Sequence, residues 1–103
     1  MFTVIETPTY LRSIDGVWST DEAAAFVDFI AQNPDAGDVM VGTNGLRKVR
    51  WGRAGMGKRG GVRVIYLWRD AAGTVRLIIA YSKAKFDSLP VEFLNRLKEQ
   101  YDV

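Results

Sequence analysis

LRKVRWGRAGMGKRGGVRVIYLW, residues 46–68, decides the fold. Its middle runs Gly52, four residues, then Gly57-Lys58, the spacing of a phosphate-binding P-loop. Such a loop needs Ser or Thr after the lysine to hold magnesium, and a helix after it whose amides cradle phosphates. Here Arg59 follows Lys58, and the chain continues VRVIYLW, whose β-branched and aromatic residues favour a strand. Both features argue against a nucleotide-hydrolysing site. The stretch reads instead as a hairpin: a strand over Leu46–Trp51, a glycine-rich connection, and a strand over Val62–Arg69. Gly52, Gly55, Gly57, Gly60 and Gly61 let that connection bend and approach a ligand closely.

Working outward, Asp70-Ala71-Ala72-Gly73 is a turn into a third strand, Thr74–Ser82, which completes an antiparallel meander. Upstream, Phe2–Glu6 alternates as a short strand, and Pro8 opens a short helix with Tyr10, Leu11 and Ile14 on its apolar edge. Ser19-Thr20-Asp21-Glu22 is a capping box for a second helix, with Ala23, Phe26, Val27 and Ile30 on one face and Asn33-Pro34 at its end. Residues 35–45, rich in turn formers, read as a loop. Leu89–Tyr101 carries Val91, Phe93, Leu94 and Leu97 in a helical rhythm. The expectation is one α+β domain over residues 1–103, with helices packed on one face of a small twisted antiparallel sheet.

Hydrophobic residues make up 48% of the chain, enough for a core, and there is neither an apolar run long enough to span a membrane nor a secretory leader pattern. Cysteine and histidine are both absent. Disulfides, thiolate chemistry, imidazole acid–base pairs and histidine-bearing metal sites are thereby ruled out, and a cytoplasmic location fits. The net charge of +2 hides an asymmetry: residues 1–45 hold one basic and seven acidic side chains, whereas residues 46–85 hold eleven basic and one acidic. A basic segment of that density is the footprint of a polyanion-binding surface.

Strand alternation refines this. Lys48 and Arg50 share one face of their strand, Val49 and Trp51 the other. Arg63, Ile65, Leu67 and Arg69 oppose Val62, Val64, Tyr66 and Trp68, while Val75, Leu77, Ile79, Tyr81 and Lys83 alternate together. One face therefore presents Lys48, Arg50, Arg63 and Lys83, and Tyr66, Trp51 and Trp68 fall to the core. No helix-turn-helix is visible, and the basic residues lie on strands, which disfavours a DNA-reading module.

GDVMVGTNGLRKVRWGRAGMGKRGGVRVIYLW, residues 37–68, resembles the RelE/HigB family of bacterial type II toxins, and IIAYSKAKFDSLP, residues 78–90, is similar to the family's following strand and tail. The resemblance implies a RelE-like fold and a toxin that cleaves messenger RNA at the ribosome, inhibits translation, and is silenced by a cognate antitoxin of helix-turn-helix type. By position, Lys48, Arg50, Arg63 and Lys83 match basic positions of the family's message-holding face, and Lys58 and Arg59 the basic part of its glycine loop. Ala84-Lys85 stands where Asn-Glu is usual, and Pro90 where Thr is. The C-terminal tyrosine that serves some members as general base has no clear counterpart, Phe86 and Pro90 occupying its neighbourhood, and Tyr81 is a substitute only if geometry allows.

The chemistry expected is attack of the RNA 2′-hydroxyl on the adjacent phosphate, without metal or other cofactor. Arg63 is the candidate for the transition-state phosphate, and Lys83 or Lys48 for proton transfer. Arg47, Arg50, Arg53, Lys58, Arg59 and Lys85 are the candidate RNA-binding cations. Two rivals keep the same surface without the reaction: a backbone-gripping RNA binder, and a degenerate toxin that only binds its antitoxin.

Overall fold

The computed structural model describes residues 2–52, 61–69, 73–86 and 88–101. The elements run β1 (Thr3–Glu6), α1 (Pro8–Ser13), α2 (Thr20–Gln32), β2 (Asp38–Val39), β3 (Leu46–Trp51), β4 (Val62–Arg69), β5 (Thr74–Ser82) and α3 (Val91–Tyr101). They build one five-stranded sheet in the order β1-β5-β4-β3-β2. The meander β3-β4-β5 is antiparallel, as the short links require, and Trp51 pairs with Val62 across the hairpin. β1 joins β5 in parallel, so the sheet is mixed at that edge; the intervening helices and strands supply the long connection that parallel pairing needs.

The helix starts follow their sequence signals. The Thr7 hydroxyl caps α1 by accepting from Tyr10 N at 3.2 Å, with Pro8 in the first turn. At α2 the Ser19 hydroxyl accepts from Glu22 N at 3.1 Å while the Glu22 carboxylate accepts from Ser19 N at 3.3 Å, a complete capping box.

The core has two halves. On one face, Tyr10, Phe26 and Ile30 of α1 and α2 cover Val49, Val62, Val64, Tyr66, Val75, Leu77 and Ala80. On the other, Leu94, Phe93 and Leu97 of α3 cover Leu46, Ile65, Leu67 and Ile78. The α+β expectation is met, with helices packed on one face for α1 and α2. α3 crosses to the opposite face, because the second apolar row would otherwise lie bare to water.

β5 departs from simple alternation. Ile65 pairs with Ile79 but Tyr66 with Leu77, so Ile78 is an extra residue, a β-bulge. Val75 and Leu77 therefore face α1 and α2, while Ile79, Tyr81 and Lys83 face the other way, correcting the single shared face read from the sequence. α1 supplies the hydrogen bonds of this irregular edge. The Thr7 hydroxyl donates to Leu77 O at 2.7 Å and Ile78 O at 3.3 Å, and the Ser13 hydroxyl accepts from Ala80 N at 2.9 Å.

The segment read as a loop contains the edge strand β2, paired Asp38 to Lys48 and Val39 to Arg47. Two devices hold it. The Tyr66 hydroxyl donates to Pro34 O at 2.6 Å and accepts from Gly37 N at 2.8 Å. Thr43 closes the return turn, donating to Met40 O at 2.7 Å and accepting from Leu46 N at 3.1 Å, with Asn44 and Gly45 at positive φ.

Candidate functional site

Alternation along β3 and β4 turns Lys48, Arg50 and Arg63 to the face that also carries α3. The bulge brings Lys83, just past β5, into phase with them. These four cations and Asp38 line one hollow of about 240 Å³. Arg50 and Arg63 are direct cross-strand partners, as are Asp38 and Lys48. Like charges facing each other across a ladder are destabilising, so the Arg50–Arg63 pair is a local concentration of positive charge that fold stability alone does not favour. Arg63 is the deepest of the set, 6% exposed, with Nη1 donating to Gly61 O at 3.4 Å. The same carbonyl accepts from Lys83 N at 3.4 Å, tying the end of β5 to the start of β4.

Tyr81 pairs with Arg63 across β4 and β5 and is nearly buried, its ring meeting Phe86 edge to face at 6.4 Å. Burial pushes its pKa above the ordinary tyrosine value, against a weaker downward pull from the Arg63 charge. At neutral pH it is a phenol, not a phenolate.

Other expected cations lie elsewhere. Arg47 points to the opposite face, where Nη1 donates to Gly37 O at 2.7 Å and the guanidinium sits 5.2 Å from the Trp68 ring centroid. It clamps the loop before β2 and does not enter the hollow. The period-two alternation that turned Lys48 and Arg50 inward dictates this. Lys85 lies in the turn after β5, its Nζ 5.7 Å from the Phe86 ring centroid, lining a separate hollow with Arg12. Arg53, Lys58 and Arg59 fall outside the described residues. Asp38 is the lining residue that sequence reasoning missed; its place opposite Lys48 was the available signal, hidden by reading 35–45 as loop. A larger hollow of about 570 Å³ beside α1 and α2, with Leu11, Ile14, Trp18 and Ala23 in its wall, has Arg12 as the one cation among the described residues that line it.

No protein-family model matches the sequence. Among solved structures the chain is similar to the Escherichia coli toxin RelE, determined as a doubly substituted form in the free state. The TM-score is 0.63, with 16% identity, over 95% of this chain and 96% of that one. The protein therefore has a RelE-like α+β fold, as the sequence resemblance implied. No helix among the described residues is long and apolar enough to cross a membrane.

Proposed function

We propose that this protein is the toxin of a bacterial type II toxin–antitoxin system of RelE/HigB kind, an endoribonuclease that cuts messenger RNA at the ribosome. The observation that supports the reading is the convergence of Lys48, Arg50, Arg63 and Lys83 from three strands on one hollow. The resemblance of residues 37–68 to that toxin family points the same way.

The RNA brings its own nucleophile. Arg63, deep in the hollow, takes the scissile phosphate with a planar fork and stabilises charge as the phosphorus becomes five-coordinate. Arg50 and Lys48 hold neighbouring phosphate oxygens, and the Lys83 or Lys48 ammonium protonates the departing 5′-oxygen. None of these steps calls on a metal. The ribosome holds the message in the geometry that aligns the 2′-hydroxyl, an entropic contribution of up to about 7–11 kcal/mol in well-oriented systems. An exposed basic hollow also needs covering when the toxin is silent, which suits an antitoxin presenting an acidic segment.

The test has two arms: expression in a bacterial host without antitoxin, and mapping of new message 5′ ends after incubation with translating ribosomes. Growth arrest with new ends is expected, and Arg63→Ala should lower cleavage by about 10²–10³-fold. RNA binding without new ends would favour the non-cleaving binder. Neither binding nor growth arrest would leave a degenerate toxin.

A further inference from the structure

We infer that Asp38 is the general base of the hollow, taking the proton from the attacking 2′-hydroxyl. The inference rests on reading the hollow as a ribonuclease site, and it supplies the group that reading leaves unassigned. In-line cleavage requires a proton acceptor that is unprotonated at neutral pH. Lysine and arginine side chains ordinarily carry their proton at neutral pH and serve as acids or charge clamps. Histidine and cysteine do not occur in the chain. Tyr81, the phenol beside Arg63, is held protonated by its burial. The glycine-rich connection, RAGMGKRG over residues 53–60, contains no carboxylate. Among the described residues lining the hollow, Asp38 is the one that carries a carboxylate.

Its position suits the task. Displacement at phosphorus places the attacking and leaving oxygens on opposite sides, so base and acid must flank the phosphate. The sheet order β5-β4-β3-β2 puts Lys83, at the end of β5, and Asp38, on β2, at opposite margins, with Arg63 and Arg50 between them. The two margins are three strand spacings apart, about 14 Å between backbones. A long lysine side chain and a nucleotide fill that span. β2 itself buries little, both of its residues being exposed, yet Tyr66, Gly37 and Thr43 all hold it in register. Delivering Asp38 opposite Lys48 gives that short strand a purpose.

The step balances as follows. The 2′-hydroxyl proton passes to the Asp38 carboxylate as the 2′-oxygen bonds to phosphorus. The bond from phosphorus to the 5′-oxygen breaks, its electron pair leaves with that oxygen, and the Lys83 ammonium protonates it. The products are a 2′,3′-cyclic phosphate and a 5′-hydroxyl, and solvent exchange resets both side chains.

Single-turnover cleavage of ribosome-bound message, with RNA affinity measured alongside, tests this. Asp38→Asn should slow cleavage by about 10²–10⁴-fold. It should leave RNA binding equal or tighter, since an anion is removed from a cationic hollow. Asp38→Glu, which keeps the carboxylate, should restore part of the rate. Asp28→Asn on the exposed face of α2, with the same charge change, should match wild type. Cleavage by Asp38→Asn within about threefold of wild type would overturn the assignment. So would slower cleavage accompanied by a proportionate loss of RNA binding, which would make Asp38 a positioning partner of Lys48. A wild-type protein that leaves ribosome-bound message intact would instead refute the ribonuclease reading itself.

Discussion

Replacing Gly37 with alanine tests how the edge of the sheet is held over the hollow. A Cβ at this position would lie 2.9 Å from Lys48 O, 2.9 Å from Tyr66 Cε1 and 2.9 Å from the Tyr66 hydroxyl. Two of the three neighbours are backbone or ring atoms fixed by pairing and packing, so the cost comes from contact. If the ring holds its place, the overpacking costs about 1–3 kcal/mol. If it yields, the hydroxyl loses Pro34 O and Gly37 N, and stranding those buried groups costs about 1–3 kcal/mol. The clash is relieved by a mixture of the two, so the expected loss is about 1–3 kcal/mol, or about 5–20 °C in melting temperature. Urea unfolding of Gly37→Ala, Tyr66→Phe and the double variant gives the measurement. Because phenylalanine lacks one of the clashing atoms, the double variant should lose less than the sum, by about 1 kcal/mol. A Gly37→Ala protein within about 0.5 kcal/mol of wild type, or strict additivity, would refute the close-approach argument.

Thr7→Val should destabilise the protein by about 1–3 kcal/mol in the same assay, because the cap of α1 and the hydroxyl serving both bulge carbonyls vanish together. Arg47→Ala should lose stability while leaving the salt dependence of RNA binding unchanged. Arg50→Ala should instead lower the slope of log affinity against log salt by about 0.7, read by titration at several ionic strengths. Tyr10, Tyr66 and Tyr81 all have pKa values raised in the fold, chiefly by burial, so their contribution to stability is complete below about pH 10 and declines as pH climbs toward the folded values. An absorbance titration should show Tyr101, whose pKa is lowered by its hydrogen bond with Thr9, ionising in the native state and the other three ionising only as the protein unfolds.

Much of the fold was legible because local rules and tertiary packing agree in this chain. The capping box at Ser19, the proline-led α1 and the alternation of β3 and β4 each carry a signal within a few residues. The gathering of Lys48, Arg50 and Arg63 followed from alternation within β3 and β4, whereas Lys83 joins them only because the bulge shifts the phase of β5 between Leu77 and Ile79. The parallel pairing of β1 and the crossing of α3 are long-range choices set by which apolar row needs covering, and no short window records them. Arg47 belonged by alternation with Val49 and Trp51, so grouping it with the RNA-binding cations overrode a rule already in hand. Asp38 escaped notice because a two-residue strand leaves no periodicity, and because its acidic surroundings in sequence separated it from the basic segment it joins in space.

Ile78 divides β5 into two half-strands in antiphase, the first buttressing the layer of α1 and α2 and the second furnishing the face that carries the basic hollow. Damage to this strand should therefore depend more on residue number than on residue type. Excising one residue there would rotate Tyr81 and Lys83 by half a turn, into the lipophilic layer beneath α1 and α2, dismantling the lining of the basic hollow without altering a single member of it.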